Sequence, residues 1–389
     1  MIPGWMSRTQ SLLACLGLIA TMATSAGEGP VPKLDRQALA AEVERAQILH
    51  GLPAMGAAVV RDGKTTIAVA GQRRAGGADP VQEGDAFHLG SDTKAITASV
   101  VARLVEHGLL HWGETLAEAL PGLEMDPAFR PVTLEMVMRH VAGLPGSGAF
   151  TPEFTKGFDD EHWTLEHQRR DMTRRFLARK PDYPPGSRFV YSNYGYIILG
   201  HVLERAAGKP WEQLVQEEVF APLHMAGCGF GPTATSKQPE GIWGHDRKDR
   251  AYVPTEGDNP PLLGPAGTVH CPLEAWAKFA AAHAGAAAPG WLTEASLRRL
   301  HEPLEVPGAG PGKAIAMGWG VTTTGSPTLL THAGSNGFNL ARIVVIPSLH
   351  AAVLVTANAG DDHAYEAVDE LSDRLVHQLA PKAQGAHGP

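Results

Sequence analysis

The sequence predicts an α/β (α+β) fold in which an antiparallel sheet is flanked by N-terminal and C-terminal helices and carries an inserted α-helical domain. Both ends of the chain combine a segment of helical periodicity with strand-like runs, whereas the middle is mostly helical pattern and Gly/Pro-rich loop. The chain has 389 residues, 43% of them hydrophobic, so it is long and apolar enough to bury a large core.

The first segment, residues 1–26, is predicted to be an export signal that is removed from the mature protein. Arg8 precedes an apolar run over residues 12–22, and small residues follow at the two positions that a signal peptidase reads. The apolar run is shorter than a membrane-spanning helix requires. We therefore expect a periplasmic or secreted protein, cleaved near Ala26, with no stable membrane span after removal of the signal.

The N-terminal part of the mature chain is predicted to be a helix followed by a hairpin. Apolar residues recur at near-helical spacing over residues 34–49, and Gly51 ends the run. Two β-prone runs, residues 56–60 and 65–70, bracket Asp62-Gly63, a dipeptide typical of two-residue hairpin turns.

The middle of the chain, residues 101–300, is predicted to be an α-rich inserted domain. Residues 34–100 and 301–380 are predicted to form one discontinuous α/β domain around it, so that residues 34–380 form one module. The predicted helices of the insert are residues 101–107, 133–141, 194–207, 211–220, 272–284 and 292–300.

The C-terminal part of the chain is predicted to return to the sheet. Strand-like runs at residues 340–346 and 351–357 precede a helix whose apolar residues, from Val368 to Leu379, share one face. The last nine residues, 381–389, are predicted to be a disordered tail.

Ser91 and Lys94 open a predicted helix, and their spacing of three residues places both side chains on one helix face. A serine hydroxyl becomes a strong nucleophile when a base removes its proton, and a lysine amine can be that base when burial lowers its pKa. The alternative is a helix cap at Ser91 and a solvated charge at Lys94. This is the only Ser-x-x-Lys in the chain.

Tyr191 and Asn193 form a second candidate segment about one hundred residues further along, after Pro184-Pro185-Gly186 and just before a predicted helix. A tyrosine phenol can relay a proton, and an asparagine amide offers both a donor and an acceptor. The alternative is a core tyrosine followed by a helix-capping asparagine.

His332, Gly334 and Ser335 form a third candidate segment, ahead of the predicted strand at residues 340–346. Small residues let a substrate approach the backbone closely, where an N–H group can contribute to an oxyanion hole. His-x-Gly also occurs elsewhere in the chain, so only the order of the segments and the strand context distinguish His332.

Taken in this order, the three segments resemble the motifs of the serine β-lactamase and penicillin-binding superfamily, in particular its class C β-lactamase-like branch. That branch includes D-Ala-D-Ala carboxypeptidases, D-aminopeptidases and β-lactamase-like carboxylesterases. The resemblance extends over about residues 34–379, which implies that residues 34–380 are one catalytic module related to β-lactamases. Four further segments look like the same branch, namely residues 138–145, 220–225, 264–267 and 317–320.

The resemblance implies a serine hydrolase that uses no cofactor and no metal. Ser91 would be the acylated nucleophile, Lys94 the amine that takes or relays its proton, and Tyr191 the relay to the leaving group. Asn193 would bind Lys94 and a substrate carbonyl. The backbone N–H groups of Ser91 and Ser335 would form the oxyanion hole. Whether Lys94 or Tyr191 is the base stays open.

The third segment departs from the Lys-Thr-Gly or Lys-Ser-Gly of typical class C β-lactamases, because His332 replaces the lysine and Ala333 removes the hydroxyl. A histidine side chain with an ordinary pKa of about 6.5 is mostly neutral at pH 7, so the positive charge that helps hold a substrate carboxylate is weakened. We therefore expect hydrolysis of an ester or a peptide-like amide. The alternatives are a D-Ala-D-Ala carboxypeptidase, a class C-like β-lactamase, or a penicillin-binding sensor that does not turn over.

Composition and cysteine content exclude several other classes. With 33 Lys+Arg against 41 Asp+Glu and no basic run, the chain has no footprint for nucleic acid, so its expected partner is a small-molecule or peptide substrate. No zinc-type spacing is present, and a lipid anchor at Cys15 lacks the apolar run that should precede it. Cys228 and Cys271 would remain in the mature chain, either paired or, as is more frequent for two cysteines, free and buried. The oligomeric state is not predicted.

Overall fold

The computed structural model describes residues 35–147 and 163–380, apart from residues 323 and 325. The predicted export signal, residues 1–26, and the predicted tail, residues 381–389, lie outside the described residues.

The described residues form an antiparallel sheet with helices on both faces, which confirms the predicted fold class. The β-strands are β1 (Ala54–Arg61), β2 (Lys64–Gly71), β3 (Ala86–His88), β4 (Gly229–Phe230), β5 (Gly244–Lys248), β6 (Ala251–Thr255), β7 (Val269–Pro272), β8 (Lys313–Ala316), β9 (Trp319–Thr322), β10 (Leu330–Ser335), β11 (Leu340–Ile346) and β12 (Ala351–Ala357). The α-helices are α1 (Arg36–His50), α2 (Thr93–Glu106), α3 (Leu116–Ala119), α4 (Leu134–Met138), α5 (Leu165–Leu177), α6 (Asn193–Ala207), α7 (Trp211–Val215), α8 (Gly264–Gly267), α9 (Leu273–His283), α10 (Glu294–His301) and α11 (Asp362–Leu379).

The main sheet has seven strands in the order β2-β1-β12-β11-β10-β9-β8, and its neighbours are antiparallel. The first hairpin turns at Asp62 and Gly63, both with positive φ, as the dipeptide predicts for a two-residue turn. The small sheet β3-β7-β4 joins the N-terminal part of the chain to its middle, and β5 and β6 form a separate hairpin.

The two faces of the main sheet bury two hydrophobic clusters. On one face, Leu39 and Val43 of α1 pack with Val368 and Leu371 of α11 against the apolar side chains of the central strands. On the other face, α9 packs against the sheet, and α2 packs against the helices of the middle segment. Burial on both sides explains why β11 and β12 are mostly apolar and buried along their whole length rather than alternating between apolar and polar residues.

The division of the chain into two domains stays a prediction. One domain would be the discontinuous α/β domain of residues 34–100 and 301–380, and the other would be the inserted α-rich domain of residues 101–300. The middle segment is rich in helix, but it also contributes β4 and β7 to a sheet shared with β3, and α9 packs directly on β1. Within the described residues, no helix combines the length and the apolar character that crossing a membrane requires.

Cys228 and Cys271 form a disulfide, although the sequence left their pairing open and free cysteines were the more frequent case. The register explains the proximity, because β4 and β7 pair Gly229 with His270, which places the two cysteines opposite each other just beyond that pair. The pairing of β4 with β7 could not be predicted, because the two strands are far apart in sequence and no local sequence pattern indicates that they pair.

Candidate active site

Ser91 lies where strand β3 passes into helix α2. A single 3₁₀ turn, Gly90–Asp92, connects the end of β3 at His88 to the first residue of α2, Thr93. Gly90 has a φ of 51° and an ideal Cβ on it would lie 2.4 Å from the Ser335 nitrogen, so only glycine fits between this turn and β10. The turn therefore places the Ser91 side chain at the N-terminal end of helix α2, beside the sheet, where 8% of the residue is exposed to solvent.

Lys94 is fully buried and reaches back to Ser91 over one helical turn. Its Nζ donates to Ser91 Oγ at 3.0 Å and to the Ala266 carbonyl at 2.7 Å. Burial lowers the pKa of Lys94 well below its ordinary value, and the nearby Asp92 carboxylate opposes only part of that decrease. An amine held in this way is able to accept the proton of the serine hydroxyl.

Tyr191 covers the Ser91–Lys94 pair from the segment before α6. Lys94 Nζ lies 4.8 Å from the centre of the Tyr191 ring, and the tyrosine hydroxyl is buried. Burial raises the pKa of Tyr191 far above its ordinary value, and an interaction with the Ser91 side chain offsets part of the increase. The phenol is therefore protonated at neutral pH.

His140, which the sequence analysis did not select, positions the segment that carries Tyr191. Its ring packs against the Tyr191 ring with centroids 4.5 Å apart, and its Nδ1 accepts a hydrogen bond of 3.1 Å from the Ser192 N–H. Burial, with Lys94 and His332 nearby, lowers the pKa of His140 well below its ordinary value. The imidazole side chain is thus neutral. The backbone of His140 has a φ of 59°, but the sequence does not indicate this conformation, because histidine prefers positive φ far less than glycine does.

Asn193 is the first residue of α6, and its backbone N–H donates to Ser147 Oγ at 2.7 Å. Its side-chain Oδ1 is buried and has no hydrogen-bond partner among the described residues. The predicted hydrogen bond from Lys94 to Asn193 is therefore wrong for this structure, because Lys94 Nζ donates to Ala266 instead. The unpaired Oδ1 leaves an acceptor for a ligand.

His332 lies on β10, on the side of the strand that meets the start of α2. Its Nδ1 is 3.0 Å from Asp92 Oδ1 and 3.0 Å from the Ala333 carbonyl oxygen. Burial raises the pKa of Asp92 to about 6, although His332, Lys94 and Arg342 all favour its ionised form. Asp92 is a site residue that the sequence analysis did not select, because its partner is 240 residues away.

Gly334 and Ser335 bring β10 into contact with the turn that carries Ser91. A Cβ at Gly334 would lie 2.0 Å from the Leu89 carbonyl oxygen and 2.5 Å from the Ser91 nitrogen. The Ser335 hydroxyl donates to the Asn339 carbonyl at 2.7 Å, so it is engaged in the turn after β10. The backbone nitrogens of Ser91 and Ser335 thus both lie where β10 meets the turn before α2. The Ser335 side chain does not take part in this contact, because its hydroxyl is bound to Asn339.

A buried polar network supports this junction from behind. His88 Nε2 lies 2.9 Å from Asp258 Oδ1, which also accepts from Asn336 Nδ2 at 2.9 Å, and His88 Nδ1 accepts from the Gly90 N–H at 3.0 Å. Burial disfavours ionisation of Asp258, but His88 and Asn336 bring its pKa below the ordinary value. The network ties the Ser91 turn to the end of β10, and Asp258 in particular could not be recognised from sequence.

A cavity of about 180 Å³ opens beside Tyr191 and His332. Lys313 of the edge strand β8 also lines it. Its apolar lining includes Phe189, Ala309, Ile315, Ala316, Trp319 and Val321. A larger cavity, of about 680 Å³, lies between α5 and α6 and contains none of the residues of this site. Among the described residues, no cluster of three or more His, Cys, Asp and Glu side chains could hold a metal ion.

A buried serine–lysine pair at the start of a helix, packed against an antiparallel sheet, defines the class of serine hydrolases related to β-lactamases. A family model described as Beta-lactamase matches residues 39–378, so the chain belongs to the Beta-lactamase family. Membership confirms the resemblance that the three sequence segments indicated.

Two solved structures share the fold. A class C β-lactamase superposes with a TM-score of 0.71 at 19% identity, covering 88% of this chain and 98% of that chain. The D-amino acid amidase from Ochrobactrum anthropi SV3, complexed with L-phenylalanine amide, superposes with a TM-score of 0.70 at 21% identity, covering 88% and 97%.

Two curated relatives match over part of their length. The N-acetylmuramyl-L-alanine amidase of Bacillus subtilis (strain 168) is 31% identical over 162 residues, which are 40% of this chain and 35% of the relative. Protein flp of Staphylococcus aureus (strain COL) is 22% identical over 298 residues, which are 75% of this chain and 56% of that protein. The matches thus span between about a third and just over half of the relatives.

Proposed function

We propose that this chain is an exported serine hydrolase that acts through an acyl-serine intermediate on an ester or a peptide-like amide. The observation that carries the proposal is the hydrogen bond of 3.0 Å between Lys94 Nζ and Ser91 Oγ, made by a fully buried lysine. A solvated surface lysine would stay protonated at neutral pH and would not activate the serine.

In the first step, Ser91 Oγ attacks the substrate carbonyl carbon while the neutral Lys94 amine takes the hydroxyl proton. The backbone N–H groups of Ser91 and Ser335, which lie at one junction, would stabilise the negative charge that develops on the carbonyl oxygen. The bond from the carbonyl carbon to the leaving oxygen or nitrogen then breaks, and the leaving group departs with a proton. Water later attacks the acyl-enzyme, releases the acid and restores the Ser91 hydroxyl.

Lys94 is the base in this proposal, and Tyr191 relays the proton to the leaving group. The two buried groups have pKa values displaced in opposite directions, since burial lowers that of the lysine and raises that of the tyrosine. A neutral amine can accept a proton, and a protonated phenol can donate one. Asn193 Oδ1, buried and unpaired, would accept a hydrogen bond from the substrate.

The proposed substrate class follows from the third segment. His332 and Ala333 replace the lysine and the hydroxyl residue that hold a carboxylate in typical class C β-lactamases, so esters and peptide-like amides are favoured over β-lactams. The similar proteins are described as an N-acetylmuramyl-L-alanine amidase and a D-amino acid amidase, which is consistent with an amide. Export is supported by the signal-like residues 1–26 and by the Cys228–Cys271 disulfide, since disulfides persist in oxidising compartments.

The proposal is tested by turnover of four substrates by the wild type and by Ser91→Ala: p-nitrophenyl butyrate, a D-amino acid amide, nitrocefin and a D-Ala-D-Ala peptide. We expect hydrolysis of the ester or the amide, slow turnover of nitrocefin, and loss of activity in Ser91→Ala. Ser335→Ala is the matched control, because the backbone N–H remains when the hydroxyl is removed. Turnover of nitrocefin at the rate of a resistance enzyme would contradict the substrate class, and stable acylation without turnover would favour a sensor.

A further inference from the structure

Asp92 is a buried carboxylate placed directly after the nucleophile. Only 1% of the residue is exposed, and Oδ1 lies 3.0 Å from His332 Nδ1. Its second oxygen, Oδ2, is buried and has no hydrogen-bond partner among the described residues. Asp92 makes no capping hydrogen bond to the helix that it precedes, so the local role expected of an aspartate at this position is absent.

The contact with Asp92 decides the charge that His332 can present. If His332 is protonated, the pair with the ionised carboxylate is neutral overall, and if His332 is neutral the pair carries one negative charge. A lysine in a typical third segment would instead present a positive charge to the substrate. Nδ1 also faces the Asp92 carboxylate and the Ala333 carbonyl, which leaves Nε2 as the ring nitrogen available to a ligand.

The other charged groups around the pair do not restore a positive charge at this position. Lys94 lies on the same turn but is fully buried and bound to Ser91 and Ala266. Arg342, on β11, donates to Asp369 at 2.7 Å and to Asp373 at 3.0 Å, so two carboxylates compensate it. His140 and Tyr191, which face the pair from the segments before α6, are neutral.

We propose that Asp92 is a specificity-determining residue, which compensates His332 so that the site takes substrates with an uncharged group opposite His332 and rejects a free carboxylate there. The inference rests on the proposed function and narrows its substrate class to neutral esters and amides. Burial disfavours the ionised form of Asp92 and raises its pKa to about 6, so at neutral pH the ionised carboxylate lowers the stability of the fold. A role in the site accounts for it.

Lys313 is the alternative source of a positive charge. It lies on the edge strand β8 and lines the same cavity as His332. If Lys313 recognised a substrate carboxylate, selectivity would depend on that residue and not on Asp92. The experiment therefore includes Lys313→Met.

The test compares two thioesters that differ only in a free carboxylate on the leaving group, N-acetyl-D-alanyl thioglycolate and its methyl ester. The measured quantity is the ratio of kcat/KM for the methyl ester to kcat/KM for the acid. The variants are Asp92→Asn, His332→Lys, the double variant that combines them, and Lys313→Met. A merely structural role of Asp92 would lower both values of kcat/KM and leave their ratio unchanged.

We expect the wild type to prefer the methyl ester. In Asp92→Asn the ratio should fall on the order of tenfold at pH 7.5, where the Asp92 carboxylate is ionised, since removing one unit charge close to the substrate carboxylate has an effect of this size. The double variant should prefer the acid, whereas His332→Lys alone, still compensated by Asp92, should change the ratio much less. Circular dichroism checks folding, and Asp92→Ser replaces Asp92→Asn if the latter does not fold.

The inference would be overturned if the ratio of kcat/KM values in Asp92→Asn stayed within twofold of the wild-type ratio. It would also be overturned if the ratio changed in Lys313→Met and not in Asp92→Asn. Failure of the proposed function is a separate outcome. In that case the wild type would hydrolyse neither thioester and Ser91 would not be acylated, whereas failure of the inference leaves hydrolysis intact and removes only the selectivity.

Discussion

Lys94 is the residue on which the proposed chemistry of the site depends. Its Nζ has no contact with solvent, and its hydrogen bonds go to one hydroxyl and one carbonyl oxygen. Neither partner is an anion that would hold the ammonium form, and the ionised Asp92 compensates burial only in part. The deprotonated amine is therefore accessible at a pH at which an exposed lysine is protonated.

The first prediction concerns the acid limb of the pH profile. In the proposed mechanism activity requires neutral Lys94, so kcat/KM for a neutral ester should rise with pH through the lowered pKa of Lys94 and should be small at pH values below it. Lys94→Ala should lower kcat/KM by about 10²-fold to 10⁴-fold, the usual contribution of a general base. Lys94→Arg, which cannot be deprotonated, is the matched variant and should lose as much. Full activity in Lys94→Arg would show that the residue acts only as a positive charge.

The second prediction concerns stability at the Asp92 position. The folded protein binds the Asp92 proton more tightly than the unfolded chain, whose aspartate has the ordinary value of 3.8, against about 6 when folded. The stabilisation due to that proton is complete below pH 3.8 and is lost as the pH rises through about 6. Urea unfolding at pH 4 and pH 7.5 should therefore show that Asp92→Asn gains stability relative to the wild type at the higher pH, by up to about 3 kcal/mol. If Asp92→Asn were instead less stable than the wild type at pH 7.5, the stabilisation from the Asp92–His332 ion pair would exceed the cost of burying the carboxylate.

Strand β10 and the turn before α2 are the elements that assemble the site. Contact between them is close enough that both Gly90 and Gly334 face backbone atoms of the other element. The three segments on these elements could be recognised from the sequence, whereas β8 and β9 could not be predicted, because Lys313–Ala316 and Trp319–Thr322 are too short to give a strand pattern. The longer and more apolar β11 and β12 were predicted with the bounds that the structure has.

The third prediction is that Gly334→Ala disrupts the junction. The added Cβ would lie 2.0 Å from the Leu89 carbonyl oxygen, which is backbone and cannot rotate away. We expect kcat/KM to fall by about 10²-fold or more, the effect of losing one oxyanion donor, together with a lower unfolding midpoint. Gly84→Ala is the matched control, because its Cβ would meet no atom within 4 Å. Unchanged activity in Gly334→Ala would argue against an oxyanion hole at this junction.

At the scale of the whole molecule, the site depends on contacts between distant parts of the chain. Terminal elements, the first hairpin and the three segments carry local signals, namely periodicity, turn residues and motif spacing, and they could be predicted. The contacts of Asp92 with His332 and of His88 with Asp258 join residues that are far apart in sequence, and no local pattern connects the two partners of either contact. The same holds for Cys228 and Cys271. Long-range pairing follows from the packing of the elements, which one sequence does not specify.

The fourth prediction concerns the disulfide, which closes a loop with a sequence separation of 43 residues. By the chain-entropy relation, removing such a cross-link destabilises the folded state by about 4 kcal/mol. The double variant Cys228→Ala, Cys271→Ala should show this loss in urea unfolding, and the reduced wild type should behave like it. Equal unfolding midpoints for the oxidised wild type and the double variant would contradict a stabilising bridge.

The central claim is that Ser91 is the acylated nucleophile and that Lys94 activates it. Intact-mass spectrometry after incubation with a fluorophosphonate probe tests it most directly, with the wild type, Ser91→Ala, Lys94→Ala and Ser335→Ala compared at equal protein concentration. We predict one adduct per chain in the wild type and in Ser335→Ala, none in Ser91→Ala, and labelling slower by orders of magnitude in a folded Lys94→Ala. An adduct that persists in Ser91→Ala, or labelling of Lys94→Ala at the wild-type rate, would contradict the claim.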